Sequence, residues 1–478
     1  MAPHLFRSVF VLVFINLLVK PIWIFGVDRK VQVFAGYEAY GEYFSYFSFT
    51  VIFAILADAG ITLFVQQRLS AAASHGSWLK KAIGYKLLLS LLYACFAGVV
   101  GTLIGLQDLQ LLGALILLQL LLSWISFCRA VLSAQQRFGA SSFLSILDKL
   151  LLLVPALGLF YIVHQGAQVT VALFTWAQVG SAGVTLAAAV ALLLRYTGGN
   201  HPQPEQRSLS FRDIVKESTP FALVVLFMFL HARADGVLLH LLPADGSVQA
   251  GRYAAMYRFV DAATVLSYLA SGFLLSYWAR HLQQKEMIRE TVDRFFRMMM
   301  GGASFVCVLF FFHSHVLQQW LYHTPSAESA SVLRWGMLVL VPYFLVDIFG
   351  TLLTAHKRLW EIILVVLGCS LINITLNFFL IPVAGALAAA VVAIGSQGLF
   401  AAVLWLLAEK RWNIGPGVSS ILRVVVLTGS LLVLAVCFQW LLLASWLQVT
   451  LLFVAWLLLL FLLRLFSLQW FFNWQQEQ

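Results

Sequence analysis

Residues 109–128 read LQLLGALILLQLLLSWISFC, twenty positions without a single charged side chain. A helix of about 20 apolar residues spans a bilayer, because each residue advances the helix by about 1.5 Å and the hydrocarbon core is about 30 Å thick. Similar stretches recur along the whole chain. The stretch therefore predicts a membrane-spanning helix, and its recurrence predicts an all-α protein that crosses the membrane many times.

The composition excludes a water-soluble fold. Of 478 residues, 62% are hydrophobic and 10% are charged, and the mean hydropathy is +0.91. These polar side chains are too few to cover a soluble surface. The five cysteines fall in apolar stretches at unrelated spacings, which predicts packing residues rather than disulfides or a zinc site.

About fourteen spans of roughly 20 to 27 residues each are predicted, with no room left for a sizeable soluble domain. They begin near Ser8, Gly41, Ala82, Leu109, Phe143, Val171, Ile214, Tyr257, Met298, Leu333, Trp360, Ala386, Ile421 and Trp446.

The net charge of +10 is distributed as a topology signal, so no nucleic-acid partner is expected. Basic residues gather in alternate connections, and the intervening connections hold little beyond Arg29, Lys30 and Arg252. Because basic loops stay in the cytoplasm, both termini are predicted to be cytoplasmic, which requires an even number of spans. The basic connections contain Arg68, Lys80 and Lys81; Arg129 and Arg137; Arg195, Arg207 and Arg212; Arg280, Lys285, Arg289 and Arg294; Lys357 and Arg358; and Lys410 and Arg411.

The chain also contains an internal repeat. GEY at 41–43 corresponds to GRY at 251–253, LSAQQR at 132–137 to LTAHKR at 353–358, and GSAG at 180–183 to GSQG at 395–398. Any one match can arise by chance, but three in the same order predict a duplication about an axis along the membrane normal. The predicted parts are an N-terminal lobe of six helices (1–197), a cytoplasmic linker (198–213), a C-terminal lobe of six (214–410) and two added helices (411–478).

Several short motifs resemble one known family. They are GYEAYGEY at 36–43, ADAG at 57–60, Pro220-Phe221, Arg233-Ala234-Asp235, Gly251-Arg252-Tyr253, Tyr257-Arg258, Asn373, Asn377, Ile381-Pro382 and Gly385-Ala386. In this order they resemble the polysaccharide-transporter branch of the multidrug/oligosaccharidyl-lipid/polysaccharide (MOP) flippase superfamily, over about residues 8 to 410.

The resemblance implies a MATE-like fold and a Wzx-type flippase, or a relative of the lipid II flippase, rather than an enzyme. Such a protein moves an undecaprenyl-pyrophosphate-linked oligosaccharide across the bacterial inner membrane for O-antigen, capsule or exopolysaccharide assembly. Two lobes rock between inward-open and outward-open states. The expected partners are the lipid-linked cargo, membrane lipids and polysaccharide polymerase machinery, and the protein is expected to be a monomer.

Charged side chains inside the spans are the first candidates for function, because each costs roughly 2.5 to 3.5 kcal/mol at a helix centre. A pyrophosphate cannot enter hydrocarbon unneutralised, so a flippase needs cations in a hydrated cavity. The predicted headgroup ligands are Lys20, Lys149, Arg233 and Arg258. In the alternative, Arg258 pairs with Asp261 one turn on, and Lys149 pairs with an acid or extends to the interface.

Asn373 and Asn377 are four residues apart and so share one helix face. In the lipid II flippase branch a sodium site joins an acid on the seventh span to polar residues on the eleventh, and Asp235, Asn373 and Asn377 resemble those positions. The resemblance thus implies sodium, or else a proton, as coupling ion. This chain has Asn377 where an acid can occur, and the alternative is that both amides only bond neighbouring helices.

Two positions in each half resemble hinges. Pro21 and Gly26 in the first span occupy places similar to Pro220 and Gly236 in the seventh. Proline removes a backbone hydrogen bond, which is tolerated where the freed carbonyl lines a cavity. Pro220 lies near a predicted helix start, where it can instead be a first-turn residue.

Two other functions compete with the flippase. A cation-coupled exporter of drugs or small molecules from the same superfamily would have a cavity dominated by acids and aromatics, whereas the candidates here are cations. A membrane enzyme that uses the same lipid carrier needs a large extracytoplasmic loop with acidic or histidine residues. The longest such connections predicted here, 27–40 and 242–250, are short.

Overall fold

The computed structural model describes residues 18–71, 78–158, 169–197, 211–323, 326–441 and 443–465. Within these ranges the chain forms helices and no strands, as predicted. The start of the first predicted span near Ser8 and most of the predicted linker 198–213 lie outside the described residues.

The α-helices are labelled in chain order, so their numbers differ from those of the predicted spans. They are α1 Arg29–Phe53, α2 Ile61–Ala71, α3 Trp78–Leu103, α4 Leu109–Ala134, α5 Phe138–Leu157, α6 Val171–Thr197, α7 Phe211–Leu241, α8 Gly246–Arg280, α9 Lys285–Tyr322, α10 Ala327–Gly336, α11 Leu340–Ala355, α12 Leu359–Trp412, α13 Val418–Trp440 and α14 Ser445–Leu462.

Twelve stretches of the described residues are long and apolar enough to cross a membrane. The two longest, Leu18–Ala57 and Leu359–Trp412, have 40 and 54 residues, far more than the roughly 20 that one crossing needs. Each contains a break with a left-handed glycine, at Gly36 (φ 80°) and at Gly385 (φ 55°). Two crossings in each long stretch are consistent with the predicted fourteen.

The connection predicted over 27–40 is helical instead of an open loop. A π-helical turn, Trp23–Asp28, runs directly into α1, and the chain departs from helical geometry only at Gly36. Helical geometry satisfies the backbone N–H and C=O groups within the segment itself, which is favoured where little water is available.

The chain divides into two compact units, Met1–Ala254 and Ala255–Gln478. In unit 1 a core of Ile61, Val65, Trp78, Phe127 and Val131 joins α2, α3 and α4. The predicted boundary at the linker stays a prediction.

In unit 2 a second core holds the last two helices, α13 and α14, against α9. Val308, Leu427 and Leu452 are buried in it, and Trp456 donates a hydrogen bond to the Gly301 carbonyl (2.9 Å). The opposite faces of α13 and α14 carry exposed apolar side chains such as Val433, as expected for helices that meet lipid.

The repeated motifs adopt matching local structures. After α4, the N–H groups of residues 135, 136 and 137 bond to the carbonyls of residues 131, 133 and 132. After α11, those of residues 356, 357 and 358 bond to 352, 354 and 353, the same pattern 221 positions later. Gln136 and Lys357 both have left-handed backbones, with φ of 61° and 58°. The two halves thus share the same backbone turn after α4 and after α11, in addition to a similar sequence.

Candidate functional site

Unit 1 brings two of the predicted headgroup ligands together. Lys20 lies in the helical residues before Trp23–Asp28, and the charges of Lys149, Arg129 and Asp148 all act on its ammonium. Lys149 donates a hydrogen bond to Asp148 Oδ2 (2.8 Å) and keeps 29% of its side chain exposed. We call Lys20, Arg129 and Lys149 the basic cluster. Among the described residues, the charges that act on Lys20 are those of two cations and one carboxylate, so the cluster favours an anion.

Arg129 is a member of the basic cluster that the sequence pattern placed in a cytoplasmic connection. The apolar run does not end there, because Ala130, Val131 and Leu132 follow and α4 continues to Ala134. Its guanidinium Nε donates to the Ser141 carbonyl oxygen of α5 (2.9 Å), which holds it between two helices. The sequence did contain a signal that Arg129 lies within a helix, because further apolar residues follow it before the chain turns.

Arg233 and Asp235 both lie on α7 in unit 1. Asp235 is 1% exposed and accepts a hydrogen bond from the Tyr253 hydroxyl of α8 (2.9 Å). Arg233 is partly exposed on the same helix. The tyrosine fixes the position of the carboxylate that the predicted sodium site requires.

The alternatives predicted for Arg258 and Lys149 are both present as contacts. Arg258 lies in unit 2 and pairs with Asp261 one turn along α8, with Nη1 3.2 Å from Oδ2. Lys149 pairs with its neighbour Asp148. An ion pair does not prevent either cation from binding an anionic headgroup as well. The role of Lys149 and Arg258 as headgroup ligands stays a prediction.

Asn373 and Asn377 are buried in unit 2, where they bond to each other. Asn377 Nδ2 donates to Asn373 Oδ1 (3.1 Å), and Asn373 Nδ2 donates to Ser396 Oγ (3.0 Å). Ser396 follows the break at Gly385, so this bond joins the two arms of α12. The predicted sodium site takes Asp235 from unit 1 and both amides from unit 2, and it stays a prediction.

The predicted hinges differ in their surroundings. Pro21 lies two residues before the π-helical turn Trp23–Asp28, which contains Gly26. Pro220 lies inside α7, which begins at Phe211, so the first-turn alternative for this proline is wrong. Gly236 is a close-packing position, because a Cβ there would lie 2.8 Å from Phe44 Cε1 and 2.9 Å from Ser48 Oγ.

A cavity of about 100 Å³ in unit 1 has the opposite electrostatic character to the basic cluster. Glu42, Asp108, Gln110, Thr175 and Trp176 contribute to its lining. Both charged groups among these are carboxylates, so the cavity repels an anion and suits hydroxyl groups or a cation.

Unit 1 also contains a buried ion pair of which only one partner was recognised from the sequence. Asp58 belongs to the ADAG motif recognised at 57–60, but Lys86, whose Nζ lies 2.5 Å from Asp58 Oδ1, was not singled out. The signal was a third lysine, five residues after Lys81 and within the apolar part of the helix that begins at Trp78.

Comparisons with known proteins agree with this architecture. The family model described as "polysaccharide biosynthesis protein" matches residues 5–273, more than half of the chain. A search of curated proteins found no sequence match.

Among the solved structures with similar folds are a lipid flippase and several transporters. The lipid II flippase MurJ in an inward closed conformation superposes with a TM-score of 0.68 at 12% identity, covering 95% of this chain and 97% of that one. An inward-facing multidrug resistance MATE family transporter of the MOP superfamily gives a TM-score of 0.60 at 13% identity, with 83% and 94% coverage. A MOP superfamily transporter from Pyrococcus furiosus gives 0.55 at 12%, with 85% and 94%. These structural matches confirm the predicted MATE-like fold, and the family model places the chain in a polysaccharide biosynthesis family.

Proposed function

The chain belongs to the polysaccharide biosynthesis protein family, and from that premise we propose that it is a flippase for a lipid-linked oligosaccharide. The cargo is an oligosaccharide on undecaprenyl pyrophosphate, which is moved across the bacterial inner membrane by alternating access. It serves assembly of O-antigen, capsule or exopolysaccharide.

The observation that supports this cargo is the basic cluster. Lys20, Arg129 and Lys149 come from three separate helical segments, and each is at least partly exposed. Like charges in a region of low dielectric repel one another, and a bound pyrophosphate would relieve that repulsion. An arginine among them suits phosphate through its fork of N–H donors, whereas the lysines act as point charges.

The acidic cavity supports a second candidate function. A cation-coupled exporter of small molecules needs carboxylates and aromatic rings, and Glu42, Asp108 and Trp176 are of these types. The MATE family transporter with a similar fold is named for multidrug resistance. We place this function second because the basic cluster would repel a cationic drug.

Transport in purified form separates the two functions. We would reconstitute the protein in vesicles and measure how fast undecaprenyl-pyrophosphate-linked oligosaccharide becomes accessible to an externally added lectin. The expected result is flipping by the wild type that falls at least tenfold in Arg129→Gln and Lys149→Gln, and is unchanged in Arg294→Gln. Arg294 is a matched control, because it is an exposed arginine that pairs with Glu290 on α9.

Export of a cationic dye without any flipping of the lipid-linked sugar would overturn the flippase proposal. Flipping that is insensitive to both cluster variants would overturn the role of the basic cluster.

A further inference from the structure

Two carboxylates, an amide and an indole ring line the cavity of about 100 Å³ in unit 1. Glu42 comes from α1, Asp108 and Gln110 from the N-terminal end of α4, and Trp176 from the first turns of α6. An ionised carboxylate only accepts hydrogen bonds, an amide both donates and accepts them, and an indole ring offers an apolar face. A sugar presents hydroxyl groups around a ring with apolar C–H faces, so these side chains match the chemistry of one sugar ring.

A buried tyrosine fixes the positions of both carboxylates. The Tyr46 hydroxyl accepts the backbone N–H of Asp108 (3.0 Å) and is hydrogen-bonded to the Glu42 side chain. The tyrosine is 1% exposed, and its ring meets the His240 imidazole edge-on with 5.7 Å between ring centres. Asp108 Oδ1 also accepts two backbone N–H groups of α4 (3.0 and 2.9 Å). The two acids are therefore held in place before a ligand arrives, which lowers the cost of binding.

Small side chains leave room for a ligand between these groups. Three alanines, one each from α1, α4 and α6, belong to the lining: Ala39, Ala114 and Ala172. A cavity of about 100 Å³ holds several water molecules, each of which needs roughly 10 to 15 Å³. It can therefore take the hydroxyl-bearing edge of one sugar ring in their place. Asp108, Gln110 and Ala172 are exposed, so the cavity is open to a ligand from outside.

The cavity and the basic cluster lie at opposite ends of α4. Gln110 and Arg129 are 19 positions apart on this helix, which is about 28 Å at 1.5 Å per residue and close to the thickness of the hydrocarbon core. The alternation of basic loops predicts that the Arg129 end is cytoplasmic and the Gln110 end extracytoplasmic. When the pyrophosphate of a cargo contacts the basic cluster, the cavity therefore lies on the exit side, ahead of it.

A neutral sugar fits the cavity better than a cation or an anion does. Among the described residues, no group of three His, Cys, Asp or Glu side chains is placed to hold a metal ion. Both carboxylates already accept hydrogen bonds, which reduces their attraction for a cation. An acidic sugar would meet two like charges, so the cavity discriminates against uronic acids by repulsion.

We propose that this cavity binds one neutral sugar of the lipid-linked glycan on the exit side of unit 1, which rests on the proposed function. Glu42 and Asp108 accept hydrogen bonds from sugar hydroxyls. Gln110 bonds a further hydroxyl or an N-acetyl group, and the C–H face of the ring packs on Trp176. The cargo class is thus a glycan that carries a sugar without an acidic group at the position that meets the cavity.

Binding of free sugars tests the site without any transport. The full-length protein in lipid nanodiscs is mixed at neutral pH with methyl glucoside, with the methyl glycoside of N-acetylglucosamine or with methyl glucuronide. Saturation-transfer NMR gives the dissociation constant of each glycoside. We expect at least one of the two neutral glycosides to bind, and the glucuronide to bind at least about tenfold more weakly because both carboxylates repel it.

Two variants and a control show whether the cavity itself is the binding site. Trp176→Ala should weaken binding of the neutral glycosides about tenfold, because it removes the apolar face. Trp320→Ala, which truncates a tryptophan of α9 with nearly the same exposure (46% against 45%), should leave binding unchanged. Ala172→Leu fills the cavity without altering its charges and should also weaken binding about tenfold. Trp176 and Ala172 are both exposed, so neither change disrupts the packing of unit 1.

A third variant has an effect that loss of structure would not produce. Glu42→Gln removes one negative charge and keeps a side chain that accepts hydrogen bonds. The preference for neutral glycosides over the glucuronide should therefore fall from about tenfold to about threefold or less, mainly through tighter binding of the glucuronide. A preference that is the same in Glu42→Gln and the wild type would overturn the role of this carboxylate in selection.

Failure of this proposal is distinguishable from failure of the proposed function. Sugar binding that Trp176→Ala and Ala172→Leu abolish, in a protein that flips no lipid-linked oligosaccharide, overturns the function and leaves the sugar site. Flipping by a protein that binds neither neutral glycoside, or whose binding is the same in both variants, overturns the sugar site. Binding of tetraphenylphosphonium in place of the sugars, lost in Glu42→Gln, also overturns it and assigns the cavity to organic cations.

Discussion

At the scale of single residues, the charges of this protein are arranged in two ways. Asp58 and Lys86 neutralise each other at 2.5 Å, whereas the charges of two cations and one carboxylate act on Lys20 within the described part of the chain. An excess of one sign is costly in a membrane protein unless a ligand of the opposite sign, or water, balances it. The basic cluster is therefore where a substitution should affect transport more than folding.

We predict that Lys20→Ala and Arg233→Ala each abolish flipping and leave protein levels normal. Both side chains are partly exposed, so their removal creates no large cavity. The measurement is restoration of surface polysaccharide in a strain that lacks the gene, with immunoblots for the protein. Full activity of both variants would contradict the headgroup assignment.

Sodium dependence is a separate prediction that depends on Asp235. This carboxylate is buried and held by Tyr253, so Asp235→Asn keeps the hydrogen-bond partner and removes the charge that a cation needs. We expect flipping in vesicles to fall when choline replaces sodium, and Asp235→Asn to be slow in both salts. Unchanged rates with choline, together with an active Asp235→Asn, would rule out sodium coupling.

At the scale of helices, α1 and the start of α8 cross at van der Waals contact through two glycines. A Cβ on Gly41 would lie 1.8 Å from the Ser247 carbonyl oxygen, and one on Gly251 would lie 2.0 Å from that of Tyr37. Gln32 strengthens the crossing by donating to the Gly251 carbonyl (2.8 Å). The two glycines open corresponding repeat motifs, so the repeat places small residues at one close helix contact.

Gly41→Ala should therefore lower the free energy of unfolding by about 1 to 3 kcal/mol, because the added methyl group overpacks this contact. Gly84→Ala is the matched control, since Gly84 lies in α3 and a methyl group added there would meet no atom within 4 Å outside its own stretch of helix backbone. There the change should be neutral or stabilising by up to about 1 kcal/mol, because alanine is the better helix former. Thermal unfolding in detergent measures both variants, and equal melting temperatures would contradict the close crossing.

At the scale of the whole molecule, the alternation of basic loops predicts the orientation of the protein in the membrane. We expect Gln107→Cys, between α3 and α4, to react with a membrane-impermeant thiol reagent in intact cells. Gln283→Cys, between α8 and α9, should react only after permeabilisation. Both changes are made with the five native cysteines replaced by serine. The reverse pattern would invert the predicted topology.

The internal repeat shows which structural features of the whole molecule can be predicted from short sequence motifs. LSAQQR and LTAHKR were matched by residue type alone, and the structure gives them the same turn with the same three hydrogen bonds. Ser181 and Ser396, from the third pair of motifs, both donate to the carbonyl three residues earlier. Local motifs were predictable because short-range backbone geometry depends on neighbouring residues.

The sequence by itself determined that this protein lies in a bilayer, roughly where its spans begin, and that its two halves are related, because hydropathy and short motifs are properties of contiguous residues. Only the tertiary structure decided which charges meet. Lys20 with Arg129, and Asp58 with Lys86, are brought together by the rotation and packing of helices. Hydropathy does not encode that rotation, because in lipid nearly every face of a helix is apolar.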